Sequence, residues 1–283
     1  MRQNDQYVLG YRDEEQLRLQ RQAYQLATES KWLFDQIPLK RGGKVVEIGC
    51  GPHGCLDMLA ERVGASGLVI GVERSDESVG LARAMARERG LGNVEVVHRD
   101  ARNTGLPRNT FDLVTLRLVL VNVPQPEEIV REAMSLVRPG GWIALHEADY
   151  LSFVCDPPSE AWERYMQLFS GYSEKNGIDP YIGRKLPRLL REITGIQKIM
   201  VNPLIHVYPP DHERRYLAHD FAENLSDRLV AELPISKDEY ESLKLALRQH
   251  IADPNTLVVS HLFFQVWGQK PIKSECINNE SNS

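Results

Sequence analysis

Lys44 to Gly54 reads KVVEIGCGPHG. The apolar run Val45, Val46 and Ile48 leads into Gly49, Cys50, Gly51, Pro52, His53 and Gly54, and the amphipathic segment CLDMLAERV follows without a gap. Apolar strand, glycine turn and helix in that order form the βα unit that opens a nucleotide-type site. Glycines there let the backbone approach a ligand that a Cβ would push away. The free N–H groups of the following helix face the same point.

Gly49, Gly51 and Gly54 satisfy G-x-G-x-x-G, which alone is compatible with a dinucleotide. Glu47, two residues before the first glycine, points elsewhere. A carboxylate sits badly beside a pyrophosphate and suits a ligand carrying positive charge, such as S-adenosylmethionine with its ammonium and sulfonium.

Outward from this turn, strands and helices alternate. The expected strands are 44–49, 68–73, 94–100, 111–119 and 142–149, separated by helices at about 54–64, 76–89 and 127–137. Five alternations predict a parallel sheet covered on both faces. The pattern then breaks into an aromatic-rich helix within 150–178, a helix at 182–194, a proline-bearing edge strand at 198–208, helices at 212–232 and 236–251, and a last strand at 258–270. Before the core, Asp13 caps a mostly polar helix running to about Trp32, expected to serve as a lid or a subunit contact. The expected organisation is therefore N-terminal lid or interface helices over 1–38, a Rossmann-like domain over 39–271 with helical cap inserts at about 150–178 and 212–251, and a disordered tail over 272–283.

Composition bounds the function. The 283 residues are 26% charged and 42% hydrophobic, with a formal net charge of −5. That is ordinary for a soluble globular protein and argues mildly against a nucleic-acid partner. No apolar run is long enough to span a membrane, and MRQNDQYVLGYRDEE lacks the apolar core of a signal peptide. The four cysteines, Cys50, Cys55, Cys155 and Cys276, show no metal-binding spacing, and a cytoplasmic location is expected.

In a doubly wound sheet, strand ends converge on the ligand crevice. Glu47, Glu73 and Asp100 close three successive strands. Glu73 is placed to accept hydrogen bonds from ribose hydroxyls, and Asp100-Ala101 to take an exocyclic amine. The chain here resembles a class I S-adenosylmethionine-dependent methyltransferase, closely over 40–149 and in outline over 182–270. VVEIGCGPHG resembles that family's first motif, VIGVE its ribose acid, VVHRDARNTGLP its adenine motif, and FDLVTLRLVLVNVPQPEEIVREAMSLVRPGG its fourth strand and following helix. The resemblance implies a seven-stranded, mostly parallel doubly wound α/β sheet, with LFFQVWGQKP as the antiparallel seventh strand beside the fifth. His53 replaces the usual third glycine, and its role is open.

By the same resemblance the cofactor is S-adenosylmethionine, leaving as S-adenosylhomocysteine. Glu47, Gly49 and Gly51 would line its methionine end, Glu73 and Arg74 its ribose and adenine, and Asp100 and Ala101 the adenine amine. Leu116 and Arg117 would approach the sulfonium part through backbone carbonyls, and Tyr11 would close the lid. If the acceptor must lose a proton, His146 or Asp149 at the end of strand five is the favoured base; Glu147, Asn122, His206 and His261 are further candidates. No metal is expected. The N-P-P-Y type signature of amine and base methylation is absent, since the chain reads VNVP there. Trp162, Phe169, Tyr172, Tyr216 and Phe221 would roof an aromatic acceptor pocket or merely pack the cap. A small, largely apolar or quinone-like acceptor is the leading reading. A cofactor-binding protein performing another step, such as cyclisation, and an NAD-dependent oxidoreductase are the alternatives.

Overall fold

The computed structural model describes residues 13–196 and 198–272. Its first elements are α1 (Asp13–Gln25), α2 (Ala27–Asp35), β1 (Lys44–Ile48), α3 (Leu56–Val63), β2 (Leu68–Glu73), α4 (Asp76–Glu88), β3 (Val94–His98), β4 (Phe111–Arg117), α5 (Pro126–Leu136) and β5 (Val137–Asp149). Local chemistry sets several boundaries. The Ser75 hydroxyl accepts from the Ser78 N–H to start α4, and Pro126 occupies the first turn of α5 ahead of Glu127 and Glu128. β1, β4 and the second half of β5 are largely buried, because helices cover both of their faces.

The second half adds β6 (Val154–Asp156), α6 (Glu160–Lys175), α7 (Ile182–Thr194), β7 (Ile199–Leu204), a 3-10 turn at Glu213–Tyr216, α8 (Leu217–Asn224), α9 (Ser226–Glu232), α10 (Lys237–Ala252), β8 (Leu257–Val259) and β9 (Leu262–Gln269). A reciprocal Ser236–Glu239 capping box opens α10.

The seven-stranded sheet has the order β3-β2-β1-β4-β5-β9-β7. β1 to β5 pair in parallel, and β9 runs antiparallel between β5 and β7. The expected seventh strand is therefore in place, and the proline strand β7 is the edge. The sheet grows in opposite directions from β1, with β2 on one side and β4 on the other, so the ligand crevice opens above the β1–β4 boundary. One face packs Leu33, Phe34, Leu59, Val63, Val79 and Ala82 of α2, α3 and α4. The other packs Ile129, Val130, Ala133, Leu186 and Leu190 of α5 and α7, and that core continues without a break into the cap.

Three expected elements differ. The N-terminal helix breaks at Leu26, where the chain turns to bury Leu26, Ser30, Leu33 and Phe34 against the sheet. The last strand divides at Ser260-His261, its first part pairing with β6 instead of joining the main sheet. The 212–232 helix forms three short pieces that bend over the strand ends.

Candidate active site

The turn after β1 is organised by two carboxylates. Glu47 is 1% exposed, and both its oxygens accept from the Cys55 N–H, at 3.0 and 2.8 Å. The N-terminus of α3 is thus capped by an internal carboxyl group, which leaves poor room for a pyrophosphate. A Cβ on Gly54 would stand 2.5 Å from Glu47 Oε2, so glycine is required over that carboxylate. Burial pushes Glu47 up to about 7, despite the pull of Arg117 and the Cys55 N–H. Glu73 accepts from the Gly51 N–H at 3.0 Å and, through its other oxygen, from the N–H groups of Arg74 and Ser75 at 2.7 and 2.8 Å. Gly51 adopts a φ of +58° and has nothing within 4 Å of where a Cβ would stand. Its bare backbone therefore faces open cavity.

That cavity lies over the ends of β1 to β4. Glu47, Gly49, Gly51, Glu73, Arg74, Asp100, Ala101 and Arg117 all line it. Asp100 is oriented by the Arg102 N–H at 2.8 Å. Arg117 donates to Ser30 Oγ at 3.0 Å and to the Gly54 carbonyl at 3.1 Å, tying α2 to the glycine turn. Leu116 does not reach the cavity. It points into the core, fully buried, and the wall is made instead by Leu118 and Val119. Leu118 holds a left-handed φ of +56°. Glu147 fixes this wall: its carboxylate accepts from the N–H groups of Val119, Leu120 and Val121 at 3.0, 2.9 and 3.2 Å. Burial raises it too to about 7. Tyr11 lies outside the described residues.

Sequence reading missed three wall residues supplied by α1: Arg18, Leu19 and Gln22. The helix is held there by the Ser78 hydroxyl donating to Gln16 Oε1 at 2.9 Å and by Arg89 donating to Tyr24 at 2.7 Å. His53 belongs to this docking surface, with its ring 4.9 Å from that of Tyr24 and its Nε2 3.4 Å from Asp57. It does not line the cavity.

A second cavity adjoins the first, and Arg18, Gln22, Leu118 and Tyr150 line both. Its roof comes from the 3-10 turn and α8, including Arg214, Tyr216, Asp220 and Phe221, and its floor from His261 and Phe263. Of the five rings expected as a roof, only Tyr216 and Phe221 line it. Trp162, Phe169 and Tyr172 are buried in the core that joins cap to sheet.

Neither His146 nor Asp149 lines either cavity. Three residues apart on one strand, they point to opposite faces. His146 is buried on the α2 face with both ring nitrogens unpartnered, and burial drives it down to about 3. Asp149 is paired with Arg184 of α7, and burial still raises its pKa. His206 also faces α2, pairing with Glu29 at 3.0 Å.

Comparison with known proteins matches this architecture. The family described as "Methyltransferase domain" matches residues 39–185, just over half of the chain. A demethylmenaquinone methyltransferase of a Geobacillus species is 35% identical over 171 residues, covering 59% of this chain and 68% of that protein. A solved structure from Bacillus halodurans superposes with a TM-score of 0.57 at 16% identity, covering 84% of this chain and 97% of the other. A Haemonchus contortus phosphoethanolamine N-methyltransferase, solved with S-adenosylhomocysteine, gives 0.51 at 18% identity, covering 83% and 50%. At such identities the two structures share the fold.

Proposed function

Because the chain belongs to the methyltransferase-domain family of class I S-adenosylmethionine-dependent enzymes, we propose that it methylates a small, largely apolar or aromatic acceptor of the quinone-like kind. The observation that carries this reading is the pair of adjoining cavities. One is built like a nucleoside site at the sheet switch point, the other is roofed by the cap, and Leu118 and Tyr150 stand between them. The demethylmenaquinone relative supports the acceptor class.

The donor set fits the cofactor. Gly51 leaves open backbone, Glu73 and Asp100 keep hydrogen-bond capacity toward the cavity, and Glu47 offers negative charge where a pyrophosphate could not sit. We assign Glu47, Gly49 and Gly51 to the amino-acid end of the cofactor, Glu73 to its ribose, and Arg74, Asp100 and Ala101 to its base. Bound S-adenosylmethionine supplies a methyl group already activated on sulfur. The protein then has to align the acceptor and exclude water, tasks for the α1 lid and the walls at Leu118 and Val119.

No described helix is long and apolar enough to cross a membrane, and a cytoplasmic enzyme without a nucleic-acid partner is part of this reading. Exposed Leu17 and Trp32 support self-association through the N-terminal helices as a separate proposal, tested by sedimentation of wild type against Leu17→Glu.

Calorimetric titration with S-adenosylhomocysteine should show micromolar binding, about 7–9 kcal/mol. Incubation with S-adenosylmethionine and a reduced 1,4-naphthoquinone bearing a free ring position should add one methyl by mass. Tight NADH binding without S-adenosylhomocysteine binding would sink the reading, and conversion of the acceptor with the cofactor unconsumed would favour the cyclisation alternative.

A further inference from the structure

The acceptor cavity contains a cation with no carboxylate partner among the described residues. Arg214 is 8% exposed and lines the cavity. Its guanidinium lies 5.7 Å from the Tyr208 ring centroid and 5.8 Å from that of Phe263. Nη1 donates to Gln25 Oε1 at 3.3 Å, whereas Nε has no partner. No carboxylate of the described residues forms an ion pair with it. The neighbouring arginine shows what a structural guanidinium looks like here. Arg215 donates four of its five N–H groups to the backbone carbonyls of Ile251, Tyr208, Asp253 and Thr256.

The acids around the cavity are committed elsewhere. Glu213 takes the Gln25 amide, Glu223 pairs with Lys244 at 2.9 Å, and Asp220 faces Arg18, Arg21 and Arg248. A buried guanidinium without an anion is costly, and the cost is relieved when a ligand brings the missing charge. His261, 1% exposed, lines the same cavity with its ring 4.4 Å from Phe263 and both nitrogens unpartnered. Burial, then Arg214, hold it far below its ordinary pKa, so it stays neutral and offers one N–H.

We propose that Arg214, with His261 beside it, binds an oxyanion of the acceptor, so that the acceptor enters as a carboxylate or an ionised ring hydroxyl and not as a neutral molecule or an amine. This rests on the methyltransferase reading of the adjoining cavity. A planar guanidinium suits a planar oxyanion, and the flanking rings suit an aromatic body.

The test uses full-length protein saturated with S-adenosylhomocysteine and titrated with benzoate, benzamide, benzylamine, and 4-nitrophenol below and above its pKa. Benzoate or ionised 4-nitrophenol should bind at least about ten-fold more tightly than benzamide or benzylamine; which anion wins identifies the source of the oxyanion. Arg214→Gln should erase the preference and Arg214→Lys should keep part of it. Both should bind S-adenosylhomocysteine as wild type does, because Arg214 is absent from that cavity's wall. Equal binding of anions and benzamide by wild type, no binding of either anion, or a preference kept by folded Arg214→Gln would overturn the proposal. If Arg214→Gln does not fold, wild-type selectivity and Arg214→Lys decide. Failure of wild type to bind S-adenosylhomocysteine would instead refute the methyltransferase reading.

Discussion

At the scale of single residues, Glu47 links stability, pH and binding. Its ordinary pKa of 4.5 rises to about 7 in the fold because burial disfavours the carboxylate. For a group raised in this way, the stabilisation is fully present below pH 4.5 and is lost as pH rises through 7. The ammonium of a bound amino-acid end reverses the preference by favouring the ionised form. Affinity for S-adenosylhomocysteine should therefore increase from about pH 5 to 8, with proton release on binding, and Glu47→Gln should flatten that profile. Titrations in buffers of different ionisation heat check it; a flat wild-type profile would remove Glu47 from ligand contact. Glu73→Ala should weaken binding by about 2–3 kcal/mol, since both the ligand hydrogen bonds and the Gly51 anchor go. Wild-type affinity in that variant would exclude Glu73 as the ribose acid. His146 tests the expected base directly. Enclosed and neutral, it has no line to either cavity, so His146→Leu should keep kcat within a factor of about three; a loss of about 10²–10⁴ at intact cofactor affinity would restore it as a base.

At the scale of elements, the break at Leu26 separates two roles. α1 presents Arg18, Leu19 and Gln22 to the cavity, whereas α2 and its exit bury Leu33, Phe34 and Ile37 in the core. Deleting residues 1–25 should leave a cooperatively folded protein with roughly ten-fold weaker S-adenosylhomocysteine binding. Deleting residues 1–38 should abolish folding, because each large core side chain contributes about 2–5 kcal/mol. Circular dichroism melts of the two truncations decide, and equal behaviour would deny the division. The break itself was not legible in the sequence. DEEQLRLQRQAYQ and ATESKWLFD are both helical patterns, and what separates them is the burial of Leu26 and Ser30 against a sheet built by distant residues. The division of 258–270 at Ser260-His261 has the same origin, since β6 captures Leu257–Val259 from across the chain. The glycine turn, the alternating strands and the acids at their ends were legible because turn chemistry, periodicity and topology are local or follow fixed rules. Arg214, Tyr150 and the α1 wall carry no local pattern; cap geometry alone assembles them.

At the scale of the whole molecule, the cap and the sheet form one cooperative unit. The same core runs from Val46 and Ile48 on the sheet through Tyr150, Phe169 and Phe221 to Tyr240, Leu247 and Ile251 of the cap. Tyr150 joins the two halves, with its ring 5.9 Å from Phe169 and 5.1 Å from Phe221 while it also lines both cavities. Such continuity leaves no plane along which the cap could melt alone, so unfolding should be a single transition by calorimetry and by circular dichroism. Ligand linkage then acts on the entire fold. S-adenosylhomocysteine at 100 times its Kd adds about 2.7 kcal/mol to the native state. For a chain of this size that should raise Tm by roughly 4–5 °C. Glu73→Ala, measured at the same ligand concentration, should lose most of the increment while still unfolding in one step. Two separate transitions, with only the later one moved by ligand, would show instead that the cap is an independent module resting on the sheet, and that the wall shared at Tyr150 is a contact between domains.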